Sequence, residues 1–223
     1  MEINADFSRP AMIHAASEPW VKAPMPGVER RMLDRLGDEV ARATSIVRYA
    51  PGSAFSPHTH GGGEEFVVLE GVFEDEYGSF PAGTYVRNPP TSRHTPGSTQ
   101  GCTIFVKLWQ FAPDDRLQFH RDMRANLEEY GQGLSAALLH QDAEERVTYS
   151  EAAPGARFDV DAGGGIEMLV LNGSLTDEAQ TLTTHSWLRL PPGSHYRGVA
   201  GPDGASVWMK TGHLETVRRP PDE

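Results

Sequence analysis

The chain contains one cysteine, Cys102, in 223 residues. No internal disulfide can form, a Cys-rich zinc module is excluded, and a lone thiol fits a reducing cytoplasm. Positive charge is also scarce, with 20 Lys and Arg against 31 Asp and Glu and a formal charge of −11. That acidic field repels phosphate, so neither nucleic acid nor an anionic membrane is expected as a partner. No apolar run approaches the roughly 20 residues a membrane helix needs. The opening stretch Met1-Glu2-Ile3-Asn4-Ala5-Asp6 lacks a basic segment followed by an apolar one, so no signal peptide is expected. Long helical patterns are missing too. Only Glu29–Asp38, where Met32, Leu33 and Leu36 make a partial apolar face, and Arg116–Tyr130 look helical.

What is present is the pattern of a β protein. With 38% hydrophobic and 23% charged residues the composition is that of an ordinary soluble globule. The 23 Gly and 17 Pro are spread along the chain and separate short apolar runs, as in a sandwich or barrel with frequent turns. Strands are expected at Thr44–Tyr49, Glu65–Leu69, Thr84–Arg87 and Thr103–Trp109.

Three blocks occur twice, in the same order. Glu65-Phe66-Val67-Val68-Leu69-Glu70-Gly71 returns as Glu167-Met168-Leu169-Val170-Leu171-Asn172-Gly173. Ala50-Pro51-Gly52-Ser53-Ala54-Phe55 returns as Ala153-Pro154-Gly155-Ala156-Arg157-Phe158, and Arg87-Asn88-Pro89-Pro90 as Arg189-Leu190-Pro191-Pro192. An offset of about 100 residues is too long for a solenoid repeat and suits a duplicated domain. Two tandem copies of one β fold are expected, over residues 1–114 and 115–223.

The chemistry is concentrated in His58-Thr59-His60-Gly61-Gly62-Gly63-Glu64 and His94. Histidines at i and i+2 project to one side of an extended strand. A carboxylate past a Gly-rich bend can return to that side, and a third imidazole completes a three-His, one-Glu cage. This donor set suits zinc, iron, nickel, manganese or copper rather than calcium or magnesium. Glu65 competes with Glu64, but alternation lets only one of two neighbours face the cage, leaving Glu65 outward or behind the ligands. Phe66, Tyr85, Arg87 and Phe105 are candidates to line a pocket. Cys102 reads as a buried strand thiol. His14, His120, His140, His185 and His213 have no companions at metal-ligand spacing. In the second copy, His58 and His60 face Val160, Asp161, Ala162 or Gly163, depending on where a gap is placed, and Glu64 faces Ile166. His195 or Tyr196 falls near the position of His94. The second copy is therefore expected to hold no metal.

Gly52, His58-x-His60, Glu64 and Gly71 match the first cupin motif, G-x5-H-x-H-x3-E-x6-G, and Pro81-x-Gly83 with His94 resembles the second. Gly63–Glu76, Arg87-Asn88-Pro89-Pro90 and Gly101–Lys107 resemble more narrowly the cupin domain of ChrR-type anti-sigma factors, which restrain an extracytoplasmic-function sigma factor in the oxidative-stress response. The resemblance implies two tandem cupin jelly rolls (double-stranded β-helices), with His58, His60, Glu64 and His94 holding one divalent metal. Zinc is the metal it implies, with iron, nickel or manganese as alternatives. ChrR proteins carry a separate helical anti-sigma domain with a Cys-x-x-Cys pair that has no counterpart in this sequence, so no tight sigma-factor binding is expected without such a domain. A metal-binding sensory or regulatory cupin is the leading expectation. A dioxygenase acting on a small diketone- or flavonol-like molecule is the alternative. A small anionic or enolisable ligand fits either, and so does a homodimer.

Overall fold

The computed structural model describes residues 1–38 and 40–221, and of Ala162 the backbone alone. The described residues form strands and turns, with one short 3-10 turn at Ala15–Ser17. Packing divides them into two compact units. The first comprises Met1–Ala5, Pro19–Asp122 and residues 218–221; the second comprises Asp6–Glu18 and Met123–Val217. Each is a jelly roll.

In the first unit the strand order is Glu2–Ile3, Val28–Gly37, Ala41–Tyr49, Cys102–Leu108, Glu64–Asp75, Thr84–Asn88, Phe119–Asp122, and the paired neighbours are antiparallel. Period-two alternation sorts the side chains. Phe66, Val68, Val86, Cys102, Ile104 and Val106 pack inside the barrel with Phe73 and Phe80. Glu65, Tyr85, Arg87 and Lys107 take the opposite face and are also buried. Of the residues expected to line a pocket, Phe66 faces the barrel interior. Tyr85 and Arg87 do not, and Phe105, paired with Val67 and one step from the inward Ile104 and Val106, shares their face.

Both helix-like patches prove to be extended. Residues 29–37 lie in the strand Val28–Gly37, whose register against Ala41–Tyr49 shifts between Met32 and Asp34. That bulge breaks the period of two and gives Met32, Leu33 and Leu36 their helix-like spacing. Residues 116–130 contain the strand Phe119–Asp122, a turn with Asn126 at φ 59°, and most of the strand Glu128–Gly131.

The second unit is ordered Glu128–Gly131, Leu134–Gln141, Arg146–Ala152, Ser194–Thr211, Ile166–Thr176, Ser186–Leu190, Ala11–His14. Its last strand comes from the N-terminal segment and pairs with Ser186–Leu190 as Phe119–Asp122 pairs with Thr84–Asn88. The repeat is visible in fine detail. Arg87, Glu65 and Lys107 sit in one row across three strands, and Arg189, Glu167 and Lys210 form the same row in the second unit. Leu69 is an extra residue without a cross-strand partner, and so is Leu171. Gly71 and Gly173 have φ of 71° and 73°, and a Cβ on either would collide with the carbonyl oxygen of Gly101 or Gly204. Only glycine fits these two corners.

Candidate metal centre

The short strand His58–Thr59 pairs with Arg93–His94 so that His58 lies directly opposite His94. His60 is fixed beside them, its N–H donating to Ser92 O at 3.0 Å and its carbonyl accepting from Thr91 N at 2.8 Å. The three rings meet with centroids 4.9 Å (His58–His60), 5.1 Å (His58–His94) and 4.7 Å (His60–His94) apart. One nitrogen from each lies within 4.8 Å of the others. Glu64 opens the strand Glu64–Asp75, and its Oε2 stands 3.5 Å from Nε2 of both His60 and His94. The three histidines thus form one cluster, and the Glu64 carboxylate lies beside two of them.

His60, Glu64 and His94 are 7%, 9% and 2% exposed, whereas His58 is exposed. The cluster is sealed on the barrel side and open at its mouth. Nε2 of His60 and of His94 are buried and have no hydrogen-bond partner. Unpaired buried nitrogens cost free energy. Three clustered imidazoles with a carboxylate beside two of them are a donor set that a borderline divalent ion satisfies, so these residues fit a metal.

Residues 8–112 match the model of the ChrR cupin-like domain. This stretch is a ChrR-like cupin. No curated protein matches the chain. Among solved structures, a candidate dioxygenase from Nostoc punctiforme superposes with a TM-score of 0.75 at 14% identity, covering 97% of this chain and 87% of its own. Ylba from Escherichia coli gives 0.72 at 14% identity, covering 95% and 94%. The bacterial pirin YhhW from E. coli, solved in complex with nickel(II), gives 0.67 at 14% identity, covering 91% and 98%. At such identity these likenesses show the fold.

Around these candidate ligands of the ChrR-like cupin stands a shell that sequence spacing did not reveal. Asp75 Oδ2 lies 3.0 Å from His94 Nδ1. A proton held on Nδ1 by that carboxylate leaves the Nε2 lone pair aimed at the cluster centre. His58 Nδ1 is likewise 3.2 Å from Ser56 O. Asn88 Nδ2 donates to Glu64 Oε2 at 3.2 Å, and Gln118 Nε2 donates to Asn88 Oδ1 at 3.2 Å. Burial pulls the pKa of His60 down against the opposing charge of Glu64. For His94 burial is the largest single influence and also pulls downward. The Asp75 hydrogen bond, with the charges of Glu64, Asp75 and Glu76, outweighs it and raises the pKa. Tyr49, edge-on to Phe55 and Phe73, is held protonated by burial and by the nearby charge of Glu64.

Two strained residues flank the centre. Thr91 has φ 76° and Trp109 φ 61°, unusual for side chains that branch at Cβ or are bulky. Trp109 N–H donates to Gly63 O at 3.1 Å and its indole packs closely against Gly61-Gly62. A Cβ on Gly61 would come 2.9 Å from the indole, and one on Gly62 would enter it. The three glycines beside His60 leave room for the aromatic cover of Trp109 and Phe111.

Glu65, the competing carboxylate, faces away. Its Oε2 accepts from the Tyr85 hydroxyl at 2.7 Å and lies 3.7 Å from Arg87 Nη1. The remaining histidines correct the expectation in one case. His140 has companions: Asp142 Oδ2 at 3.1 Å and Glu145 Oε1 at 3.7 Å, brought together by the Leu134–Gln141/Arg146–Ala152 hairpin. The Lys210 ammonium sits 2.9 Å from Glu145 Oε2 and already supplies a cation there. His213 Nε2 is 3.0 Å from Glu167, His14 Nδ1 is 2.8 Å from the Ser186 hydroxyl, and His120 stacks edge-on against Phe80.

The offset that relates Glu65 to Glu167 and Arg87 to Arg189 identifies what stands at the four candidate ligand positions in the second unit, and the cross-strand pairing agrees with it. Tyr196 pairs with Val160 as His94 pairs with His58. Ile166 begins its strand where Glu64 begins the equivalent one. Val160, Ala162, Ile166 and Tyr196 therefore stand at the positions of His58, His60, Glu64 and His94. His195 points outward, is exposed, and bonds to Asp159.

Proposed function

We propose that the first unit holds one divalent transition metal on His58, His60, Glu64 and His94 and serves a sensory or regulatory role. The observation that carries this reading is the pair of buried, unpartnered Nε2 atoms of His60 and His94, both 3.5 Å from Glu64 Oε2. Three neutral imidazoles and one carboxylate leave a divalent ion at about +1, which favours an anionic or enolisable oxygen ligand. Zinc fits the donor set, and iron, nickel or manganese are accepted by it too; a nickel(II) complex of the similarly folded pirin supports that breadth.

The chain's own groups support a site that binds rather than turns over. Asp75 is committed to His94, Asn88 anchors Glu64, and the Tyr49 phenol stays protonated. None of these is placed as a general base, while the exposed His58 keeps the mouth open to a small ligand. The ChrR likeness spans the cupin, so in this reading the signal is the metal or its ligand, and residues 1–223 do not by themselves grip a sigma factor.

A second reading is a dioxygenase acting on a diketone- or flavonol-like molecule, favoured by the likeness to a candidate dioxygenase over 97% of the chain. In that case a redox-active ion would supply the chemistry with O2, and His58, His60, Glu64 and His94 would hold it with two positions open. Elemental analysis of protein purified without added metal, followed by O2 uptake of the iron- and nickel-loaded forms with a β-diketone, separates the two. The expected result is one metal per chain and no multiple-turnover O2 consumption. Sustained consumption would establish the enzymic reading instead, and absence of metal would overturn both.

A further inference from the structure

Glu64 lies directly opposite Asn88 on the neighbouring strand, and Asn88 Nδ2 donates to Glu64 Oε2 at 3.2 Å. That oxygen is the one standing 3.5 Å from Nε2 of both His60 and His94. Behind Asn88, Gln118 Nε2 donates to Asn88 Oδ1 at 3.2 Å. Chemistry fixes the direction of this chain. An ionised carboxylate only accepts, so Asn88 turns its NH2 to Glu64; its oxygen then needs a donor, which Gln118 provides. Asn88 is 4% exposed, and a buried amide is costly unless its ends are bonded, as they are here.

The duplication supplies an internal control. Ile166 lies opposite Leu190 as Glu64 lies opposite Asn88. Arg87 pairs with Phe119 and Arg189 pairs with Ala11, so Gln118 and Pro10, one residue earlier, hold equivalent places. Glu64, Asn88 and Gln118 are thus replaced as a set by Ile166, Leu190 and Pro10. The barrel accepts an apolar residue at the position of Asn88, and proline at the third place brings no side-chain donor. Packing does not demand the amide; the carboxylate does.

We propose that Asn88, locked by Gln118, is the positioning residue that holds the Glu64 carboxylate against His60 and His94, and that it thereby sets which divalent ion the centre prefers. This rests on the metal reading of the first unit and deepens it. Imidazole suits zinc, nickel and copper, whereas manganese depends on carboxylate oxygen. A carboxylate free to turn toward water contributes less to any ion, and the loss falls hardest on the one that needs oxygen. With the amide in place the centre keeps manganese within its range. Without it the imidazoles dominate, and manganese is disfavoured relative to zinc.

Asn88→Leu copies the second unit, and Gln118→Ala removes the outer donor at an exposed position. Manganese(II) and zinc(II) affinities of the full chain are measured by competition with a chromophoric chelator. Asn88→Leu should weaken manganese binding about 10- to 100-fold, the usual effect of losing a partner behind a ligand, and zinc binding by a smaller factor. Gln118→Ala should shift the manganese-to-zinc ratio in the same direction by less, and it carries the test if Asn88→Leu does not fold. General loosening of the barrel weakens both ions alike, so the ratio reports positioning. An unchanged ratio, with both affinities kept or both lost in parallel, would overturn the proposal and leave the metal site standing. A wild type that binds neither ion would overturn both.

Discussion

His94 Nδ1 stands 3.0 Å from Asp75 Oδ2, and a single unpaired residue, Leu69, makes that contact possible. Asp75 and Glu64 lie an odd number of positions apart on one strand, so regular alternation would send them to opposite faces. Leu69 has no partner on Cys102–Leu108, and the register slips by one there. Past that bulge the faces exchange, and the carboxylate at the strand's far end joins the one at its start around the same cluster.

Asp75→Asn should therefore preserve the fold and weaken metal binding by about 10- to 100-fold, the usual effect of losing a carboxylate behind a ligating imidazole. A competition titration with a chromophoric chelator measures it. An unchanged affinity would mean that Asp75 does not orient His94.

Glu64 supplies the one negative charge that touches two of the imidazoles. Glu64→Gln keeps the size and one oxygen but leaves a bound ion near +2, so the loss of affinity should exceed that of Asp75→Asn. His58→Ala/His60→Ala should remove the metal altogether. Elemental analysis of the wild type should give one ion per chain; a second would direct attention to His140, Asp142 and Glu145.

Gly62→Ala should destabilise the protein by about 1–3 kcal/mol, because the added methyl enters the Trp109 ring. Gly62 has no left-handed φ to protect, so space alone is at issue. In a Trp109→Ala background the same change should cost little. Chemical denaturation of the four proteins in this double-mutant cycle checks the coupling.

Cys102 should be inert in the folded protein. Burial, with a smaller contribution from Glu74, outweighs the Ser98 hydrogen bond and pushes its thiol up to about 11. Alkylation by iodoacetamide at pH 8 should run at least about a hundredfold slower than in urea, from the smaller thiolate fraction alone. Comparable rates would show that the thiol is reachable and ionised.

The sequence by itself determined the candidate ligand set and the duplication. His58 and His60 at i, i+2, Glu64 after three glycines, and the choice of Glu64 over Glu65 all follow from local spacing and strand alternation, which the fold obeys wherever a strand is regular. Repeated blocks such as Glu65–Gly71 and Glu167–Gly173 announced two copies of one fold, because the same buried rows and glycine corners are needed twice. The tertiary structure alone decided the rest. Leu69 carries Asp75 to His94 through a bulge, and the bulge beside Met32 makes a strand of a helix-like pattern. Neither can be counted from residue identities, since an extra residue in a ladder is defined by the partner it lacks. Asn88 and Tyr49 join the centre from other strands and Trp109 from just beyond one, at distances along the chain that no period links. The choice of Tyr196 rather than His195 as the counterpart of His94 rests on the offset shared by the paired rows Glu65–Arg87 and Glu167–Arg189, together with the pairing of Tyr196 with Val160. Register is a relation between two strands, and shifting it by one residue reverses every side chain that follows.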